Sequence, residues 1–575
     1  MAHADAVPVA DLADLREEGR MVVSPDSHSI ALFHHEGEVY AVDNRCPHMG
    51  FPLSDGTVDD GILTCHWHHA RFELACGDTF DIFADDVQTY PTDVEDGTVY
   101  VDPDPPMDVA PETHWRNRLV DGMQENLSLV MAKGVIHLDD LGDGFHTPLE
   151  TALDFGITYR SMGWGRGLTT LGAMSNLYDH LAHDEKLRAM YVGVSEVADN
   201  CAGEPPRFDQ YALANEDVSK DRLKSWFREN CDVRDADGAE RTLRTATAAL
   251  PPEDVVEILL AAATDHLYLN ASHTLDFVNK ALETLDHVGW EKAPDVLAST
   301  VQQFTDGARA EEQSEWRQPV DVAALVFDAH ARLDDLVAAG EGSEWSRPDD
   351  FAETLLSDDP EAIMDAVTGA IRGGATAEQL TDAVADAATR RVAHFGTSNE
   401  FRDWNTVHHT FSYANAAHEL SHRTDAIEAY RPALDGAMSV YLDRFLNQPA
   451  APIPDPDGTE RPPEHVRADL LDTFDEQGRV DEAGALVAEH FAADGDPGEL
   501  IQTLGEGLLR EDPQFHTLQN VEGAVRRCER ADTDDGRRLP LIATARYMAA
   551  HFPTRRASEQ TFSMAHRLFR GEQLH

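Results

Sequence analysis

Apolar and polar positions near the start of this chain follow the pattern of short strands. Up to about residue 103 the apolar side chains fall in brief runs, and those at residues 29–33 and 38–42 flank a hairpin signal at 35–37. Glycine-containing turns follow at 59–61 and 95–97, before a last apolar run at 98–101. Short strands separated by such turns predict a small all-β barrel or sandwich.

Beyond about residue 115 the apolar positions recur with the period of an α-helix. Asp359 and Pro360 form a helix start, and apolar side chains then recur at every fourth position as far as Ile371. Thr376 and Gln379 have the spacing of a capping box that opens the next helix. No sustained strand pattern appears in this part, so we expect a large all-α region.

Two proline-rich stretches divide the chain into segments. Because proline fixes φ and removes a hydrogen-bond donor, we interpret both stretches as breaks between folded parts. The predicted segments are a β domain at 1–103, a linker at 104–118, a helical domain at 119–447, a loop at 448–464 and a C-terminal helical subdomain at 465–575.

An imperfect repeat runs through the helical region. The dipeptide His-Thr occurs at His146, His273, His409 and His516, and the second and third copies extend to HTLDFVNKA and HTFSYANAA. The copies lie 127, 136 and 107 residues apart, which is too irregular for a solenoid. We therefore predict imperfect repeats of helical hairpins.

The charge balance narrows the possible partners. The chain has 46 Lys+Arg against 106 Asp+Glu, a formal net charge of −60, and only six of the basic residues are lysine. Such a surface repels nucleic acid and anionic membranes, so we expect neither as a partner. At molar salt the Debye length falls to roughly 3 Å, which screens this self-repulsion. The composition thus predicts a halophilic protein, and the absence of a signal-like or membrane-spanning apolar stretch predicts a cytoplasmic one.

Two short sequences in the β region have the spacing of metal ligands. The first, CPHMG, places Cys46 two residues before His48, and the second, CHWHHARF, places Cys65 three residues before His68. Two Cys and two His suit a structural zinc ion. Because each loop supplies one Cys and one His on a β scaffold, the set also suits a two-iron cluster with both thiolates on one iron and both imidazoles on the other.

These sequences and their surroundings resemble the Rieske [2Fe–2S] family. The resemblance covers residues 7 to 101 and includes IALFHHEGEVYAVDNRCPHMGFPLSDG and ILTCHWHHARFEL. It implies a [2Fe–2S] cluster bound by Cys46, His48, Cys65 and His68. The additional cysteine pair of respiratory members is absent, so the domain looks like the ferredoxin and oxygenase types. His66 and His69 replace a proline and a glycine that are usual in the family, and we interpret both as solvated neighbours.

The helical region does not resemble the catalytic domain of the Rieske oxygenases. Their mononuclear iron site would need two His and one carboxylate, and Asp179, His180 and His183 only approximate that pattern. The run His418-Glu-Leu-Ser-His422 matches the HExxH motif of zinc peptidases. Because a chance match is about a one-in-ten event with 28 histidines in the chain, we interpret it as an ordinary amphipathic helix.

The four His-Thr sites allow two interpretations. In the first, the threonines at 147, 274, 410 and 517 are N-caps and the histidines only precede them. In the second, the four histidines converge in a bundle core, together with His266, His394 or His408, on a second metal or a substrate site.

Taken together, these features predict a multidomain protein with a small all-β Rieske domain and a large all-α domain. We expect an oxidoreductase component that passes single electrons through its cluster to chemistry on, or docked at, the helical domain. The alternative is a non-catalytic electron carrier or redox sensor whose helices form a binding scaffold. Because no nicotinamide or flavin fingerprint is present, the expected partners are a separate reductase or ferredoxin and an unidentified small-molecule substrate.

Overall fold

A computed structural model describes residues 6–25, 28–105, 109–214, 217–269, 272–455, 458, 460–572 and 574. The chain divides into two compact units. The first comprises residues 1–151 together with 558–575, and the second comprises residues 152–557. The segment boundaries expected from the sequence stay predictions.

Among its described residues, the first unit begins with ten strands and one short helix. The strands are β1 (Val7–Asp11), β2 (Arg20–Val23), β3 (Ile30–His35), β4 (Glu38–Asp43), β5 (Thr57–Asp59), β6 (Ile62–Thr64), β7 (Arg71–Glu73), β8 (Thr89–Tyr90), β9 (Thr92–Glu95) and β10 (Thr98–Val101). Helix α1 (Leu12–Glu18) follows β1 and is capped by the side chain of Asp11.

The strands form three small antiparallel sheets, as the sequence predicts. Their orders are β1-β10-β9, β2-β3-β4-β8 and β5-β6-β7. The hairpins β3–β4, β5–β6 and β9–β10 each turn through an acidic residue and a glycine that both have positive φ, for example Glu36 at 52° and Gly37 at 94°. Consecutive positive φ values match the right-handed twist of the strands, which is why short Asp-Gly turns predicted these hairpins.

Four more helices belong wholly or partly to the first unit. They are α2 (Pro111–Gln124), α3 (Ser128–Leu138), α4 (His146–Thr158), which crosses into the second unit, and α25 (Ala557–Phe569), which lies in the first unit from Ser558. Helix α2 begins within the segment 104–118 that was predicted as a linker. Pro111 occupies its first turn, where a missing N–H costs no intrahelical hydrogen bond.

The second unit is helical, as predicted. Its helices are α5 (Arg166–Leu177), α6 (His183–Cys201), α7 (Lys220–Asp232), α8 (Ala236–Ala249), α9 (Pro252–Ala263), α10 (Thr274–Val288), α11 (Ala293–Ala298), α12 (Val301–Thr305), α13 (Val322–Ala331), α14 (Leu333–Gly340), α15 (Phe351–Leu355), α16 (Pro360–Arg372), α17 (Ala377–Ala393), α18 (Phe401–Ser421), α19 (Arg431–Leu442), α20 (Pro463–Thr473), α21 (Val480–Ala492), α22 (Pro497–Leu509), α23 (Phe515–Arg530) and α24 (Asp534–His551).

Local capping signals locate some of these helices and mislead for others. The Asp359 side chain caps α16, and Thr376 and Gln379 form a complete capping box at α17, as predicted. The N-cap interpretation of the His-Thr threonines is wrong. Thr410 lies in the middle of α18, Thr517 lies inside α23, and His273 rather than Thr274 precedes α10.

None of the helices described combines the length and apolar composition needed to cross a membrane. The strands of the described residues all lie before residue 102. Each unit has its own apolar core, and fully burying a large apolar side chain such as Phe72 or Trp404 contributes about 1.5–3 kcal/mol.

Candidate metal centre

The two predicted ligand loops have the same backbone conformation. The first follows β4 and the second joins β6 to β7. In each loop the cysteine N–H donates to the carbonyl five residues later, at 2.8 Å for Cys46 to Phe51 and 2.9 Å for Cys65 to Ala70. The residue four positions after each cysteine donates back to that cysteine's carbonyl and has positive φ. The loops thus form a matched pair in backbone conformation and place their cysteines equivalently, while His48 lies two residues and His68 three residues after its cysteine.

The matching of the two loops shows why glycine is favoured at the position that His69 occupies here. The equivalent residues with positive φ are Gly50, at 81°, and His69, at 62°. Glycine reaches this region without strain, whereas a residue with a Cβ does so at a cost. His69 therefore occupies a position that the backbone makes favourable for glycine. His69 is exposed, as expected of a solvated neighbour, and so is His66, whose Nε2 lies 2.7 Å from Thr57 Oγ1.

Both candidate thiol ligands lie inside the domain. Cys46 and Cys65 are 2% and 1% exposed and belong to the apolar cluster around Phe72. The backbone N–H groups of His48 and Met49 donate to Cys46, and those of Trp67 and His68 donate to Cys65. Backbone donors aimed at both sulfur atoms stabilise thiolate, which is the form that binds a metal.

The two thiols are also hydrogen-bonded to each other. The hydrogen bond from Cys46, with the Trp67 and His68 N–H groups, lowers the pKa of Cys65 to about 6. The same hydrogen bond and burial raise the pKa of Cys46, since a second thiolate would lie beside the first. Two adjacent thiols that cannot both ionise alone are suited to share a cation.

The two candidate imidazole ligands lie closer to the surface. The rings of His48 and His68 are 4.9 Å apart between centroids and inclined at 78°. Burial lowers the pKa of His48 to about 4, so the ring is neutral, and its buried Nδ1 has no hydrogen-bond partner among the described residues. His68 is exposed. A neutral imidazole with an unpartnered buried nitrogen has the donor chemistry of a metal ligand.

The separation of the two pairs distinguishes a cluster from a single ion. Ligands of one tetrahedral zinc ion all lie within about 4 Å of one another, because each is 2.0–2.3 Å from the metal. Among the described residues, no three of Cys46, His48, Cys65 and His68 have ligand atoms that all lie within 4.8 Å of one another. A cysteine pair inside and a histidine pair outside fit a [2Fe–2S] cluster better than the structural zinc considered from the sequence.

Helices of the same unit contact the first loop. Lys133 of α3 donates to the carbonyls of Pro47 and His48 at 2.5 and 2.6 Å, and Arg45 donates to the carbonyls of Leu568 and Glu572 at 2.8 Å each. Burial lowers the pKa of Lys133 to about 8, while the charges of Asp85 and Cys46 oppose that shift. The first loop is therefore held from both sides, because Lys133 donates to its backbone and its own Arg45 donates to backbone carbonyls at and beyond the end of α25.

Comparison with known proteins identifies this domain. The family model of the Rieske [2Fe-2S] domain matches residues 5–91. The 3-phenylpropionate/cinnamic acid dioxygenase ferredoxin subunit of Escherichia coli (strain K12) is 38% identical over 99 residues, which cover 17% of this chain and 90% of that subunit. The chain belongs to the Rieske [2Fe–2S] family through its N-terminal domain. The cofactor of the Rieske domain is a [2Fe–2S] cluster.

Further similarities involve the same domain. The corresponding ferredoxin subunit of Photorhabdus laumondii is 42% identical over 74 residues, 12% of this chain and 70% of that subunit. The Sphingomonas yanoikuyae B1 ferredoxin has 28% identity and a TM-score of 0.17, and the similarity covers 17% of this chain and 99% of that one. No family model matches the helical remainder.

In the helical unit the structure brings three of the four His-Thr histidines together. The ligand atoms of His273, His409 and His516, hereafter the histidine triad, all lie within 4.8 Å of one another. His146 lies in the first unit, where it is exposed and stacks on Phe145. His408 lies beside the triad, with its ring centroid 5.0 Å from that of His516.

The residues that follow the triad histidines line one small polar cavity. Helices α10, α18 and α23 surround this cavity, the axial column, and each lines it with the residues three, six, seven and ten positions after the corresponding histidine. These residues are Asp276, Asn279, Lys280 and Glu283 from α10, Ser412, Asn415, Ala416 and Glu419 from α18, and Gln519, Glu522, Gly523 and Arg526 from α23.

Charged and polar groups of the axial column are buried. Lys280 lies 2.6 Å from Glu283 and 2.7 Å from Glu522. Burial opposes the charged form of all three side chains. The two carboxylates nevertheless keep the pKa of Lys280 above its ordinary value. Lys280 and Arg526 in turn lower the pKa of Glu283 to about 2. Within the described part of the chain, the amide of Asn415 has no hydrogen-bond partner at either end.

The remaining candidate residues do not assemble into sites. His418 accepts a hydrogen bond from Arg527 at 3.0 Å, and both oxygens of Glu419 accept from Arg530, so the HExxH glutamate is held in an ion pair. His180 pairs with Glu529, His266 with Glu311 and Asp232, and the His394 ring with the Ala451 carbonyl. None of them belongs to a compact ligand cluster among the described residues.

Sequence reasoning missed Lys133 and Lys280. Both lie on helices whose apolar pattern gave no indication of a charged contact. A usable signal was the composition, because only six of the 46 basic residues are lysine and each lysine is therefore an unusual choice in this chain. Lys133 and Lys280 occupy positions where an ammonium group makes several short contacts to oxygen.

Proposed function

We propose that this chain is a one-electron oxidoreductase component whose Rieske domain binds its cluster through Cys46, His48, Cys65 and His68. The observation that carries the proposal is the matched pair of loops, with two hydrogen-bonded thiols inside and two imidazoles nearer the solvent. A bound [2Fe–2S] cluster supplies a one-electron couple whose potential depends on net charge, hydrogen bonds to sulfur and exposure.

The side chains around the loops have distinct parts in this function. The four backbone N–H groups orient the sulfur atoms, and the apolar cluster around Cys46 and Cys65 excludes water from them. His68, which is exposed, lies where an electron-transfer partner can approach most closely. The protein-specific contribution is thus a dry, hydrogen-bonded inner side and an accessible outer side.

The relatives support transfer between separate proteins. Both ferredoxin subunits compared with this chain are named as parts of a dioxygenase, and the chain matches up to 90% of their length with 17% of its own. We infer that a separate reductase or ferredoxin reduces the Rieske domain, and that the electron passes to chemistry on a small-molecule substrate at the helical unit or at a protein docked on it.

A non-catalytic carrier or redox sensor is the second candidate. It is favoured by the near-complete match to ferredoxin subunits, which indicates that the N-terminal domain includes all that a carrier needs. The two candidates differ in the fate of the electron after the cluster is reduced. Each reduced cluster holds one electron, so the readout is the rate at which oxygen reoxidises it. A rate that substitutions in the helical unit slow supports the first, and a rate that they leave unchanged supports the second.

Metal analysis and electron paramagnetic resonance (EPR) test the ligand assignment. Protein purified in molar KCl is expected to contain two cluster irons per chain and to give a Rieske-type spectrum after reduction with dithionite. Cys65→Ser and His68→Ala should each abolish that spectrum. Cys76→Ser is the matched control, because Cys76 is exposed and lies outside both loops. Zinc in place of iron, or a spectrum retained in Cys65→Ser, would contradict the assignment.

We also propose that the protein functions in the cytoplasm of a halophile. A net charge of −60 with six lysines supports this, because self-repulsion is strong in dilute buffer and screened at molar salt. The expected result is a melting temperature that rises from low to molar KCl. An unchanged melting temperature would contradict the proposal.

A further inference from the structure

The histidine triad of the helical unit has ligand geometry of its own. His409 Nε2 and His516 Nε2 lie 3.3 Å apart, and His273 completes the group with a ring centroid 4.7 Å from that of His409. Two imidazoles on one tetrahedral metal, each about 2.0–2.1 Å from it, place their nitrogens about 3.3 Å apart. The observed separation is therefore that of two ligands on one ion.

The outer nitrogens of two of these rings are already held. His273 Nδ1 lies 2.9 Å from Asp276 Oδ2, and His516 Nδ1 lies 3.2 Å from Asn405 Oδ1. Both partners are acceptors, so both Nδ1 atoms carry the proton and both Nε2 atoms have an inward lone pair. Metal-binding histidines are oriented in this way by carboxylate or carbonyl oxygens.

A hydrogen bond between imidazoles does not account for the whole triad. His409 Nε2 can donate one proton, to either His273 or His516, and the other inward lone pair then has no donor within the triad. A cation at the centre engages all three at once.

The position of the triad within the fold is consistent with a ligand-binding role. His273 immediately precedes α10, whereas His409 lies inside α18 and His516 lies in the first turn of α23. The three are equivalent in another sense, because the residues three, six, seven and ten positions after each histidine line the axial column. The threonines that follow two of the histidines bond elsewhere, Thr274 to the Gln303 carbonyl and Thr410 to the Ser439 hydroxyl. At these two His-Thr pairs the histidine, and not the threonine, belongs to the triad.

We infer that His273, His409 and His516 bind one divalent first-row transition metal through their Nε2 atoms. Three imidazoles with no carboxylate among them suit zinc, iron(II), cobalt(II) or copper(II), and three protein ligands leave at least one position open to water or substrate. Asp276 is a positioning residue, because it orients His273 from outside the metal's coordination shell. This site is independent of the Rieske cluster.

The test uses the full chain without its cluster, so that cluster iron and colour do not interfere. Cys46→Ser/Cys65→Ser protein, treated with chelator and kept in molar KCl, is titrated with Co²⁺. The expected result is one Co²⁺ per chain with visible d–d absorption. His409→Ala or His516→Ala in the same background should weaken binding at least about 100-fold, while His422→Ala, a histidine outside the triad, should not.

Outcomes that would overturn the site are no stoichiometric Co²⁺ binding, or binding that both triad variants retain. Circular dichroism and the melting temperature show whether each variant is folded. If a triad variant does not fold, pulsed EPR of Cu²⁺-loaded cluster-free protein counts the coordinated imidazoles instead. Three imidazoles support the site and none or one overturns it. Because the cluster is absent throughout, failure here leaves the ligand assignment in the Rieske domain untouched.

Discussion

The Rieske domain and the helical unit arrange histidines in opposite ways. In the Rieske domain His48 and His68 lie on loops, two or three residues from a cysteine, and backbone N–H groups orient their neighbours. In the helical unit the histidine triad comes from three helices whose histidines are 136 and 107 residues apart, and side chains such as Asp276 and Asn405 orient the rings. Loop sites are thus specified locally, whereas the triad depends on how helices pack.

This difference also separates the electrostatics of the two regions. Lys133 on α3 donates hydrogen bonds to two carbonyls of the first loop, so its positive charge is stabilised by backbone dipoles. The axial column matches charge with charge, through Lys280, Glu283 and Glu522. Removing one ionic partner should therefore lower the free energy of unfolding more in the axial column than at the first loop, where only backbone carbonyls lose a donor.

The largest expected effect is on the cluster. His68→Ala removes one ligand of an all-or-none site, so the two cluster irons and the Rieske-type EPR signal should both be lost. The helical unit should stay folded, since its core shares no residue with the loops. Iron analysis and EPR measure the first effect, and circular dichroism in molar KCl measures the second. Loss of helicity in this variant would mean that the two regions are not independent.

The next effect is on stability in the axial column. Lys280→Met removes the nearer of two cations from the buried Glu283 and Glu522, leaving Arg526 at 3.7 Å from Glu522, and should lower the free energy of unfolding by about 3–5 kcal/mol. Lys292→Met is the matched control, because Lys292 forms a surface pair with Asp154 that is worth about 0–1 kcal/mol. Urea titration of both variants gives the comparison. Equal losses would show that the column does not depend on its internal ion pairs.

A pH effect should come from His418, which is 5% exposed. Burial and the charge of Arg527 lower the pKa of His418 to about 4, below the unfolded value of about 6.5. The unfolded chain therefore takes up the proton first, and the free energy of unfolding should fall by up to about 3 kcal/mol between pH 6.5 and 4. His418→Gln should reduce this slope in urea titrations at several pH values, whereas His422→Gln should not. A slope equal to wild type in His418→Gln would contradict the assigned pKa.

A smaller effect should follow from Asp276, whose carboxylate holds His273. Asp276→Ala is expected to weaken Co²⁺ binding by about 10- to 100-fold without abolishing it. Ser412→Ala is the matched control, because Ser412 occupies the equivalent position on α18 and donates to a backbone carbonyl instead of a ring. A change in the Co²⁺ spectrum of the Asp276 variant would show that ring orientation, beyond stability, is affected. Equal binding in both variants would contradict a positioning role.

The smallest effect should be on the reduction potential. Lys133→Met removes a positive charge that contacts the His48 carbonyl, so the oxidised cluster should be favoured and the potential should fall by tens of millivolts. Lys133→Arg keeps the charge and should move the potential less. Redox titration followed by EPR measures both. A rise in potential in the methionine variant would show that loop geometry, and not charge, controls the cluster.

Sequence reasoning reached the β hairpins and the helix caps because their signals are local. The Asp-Gly turns and the Asp359 cap depend on residues within three positions of one another, and both were predicted correctly. Of the two interpretations of the His-Thr sites, the one that made the threonines N-caps is wrong. Thr410 lies inside α18, where its hydroxyl forms a buried hydrogen bond with Ser439 instead of capping a helix start.

The sequence by itself determined the Rieske domain and its candidate ligands, since a cysteine and a histidine two or three residues apart on a tight loop must lie close together. It also indicated that the four His-Thr histidines are related, but not which of them meet. Only the tertiary structure decided that His273, His409 and His516 meet while His146 lies in another unit. The helical period fixes which residues share one face of a helix, whereas the packing of side chains far away in sequence fixes which faces meet.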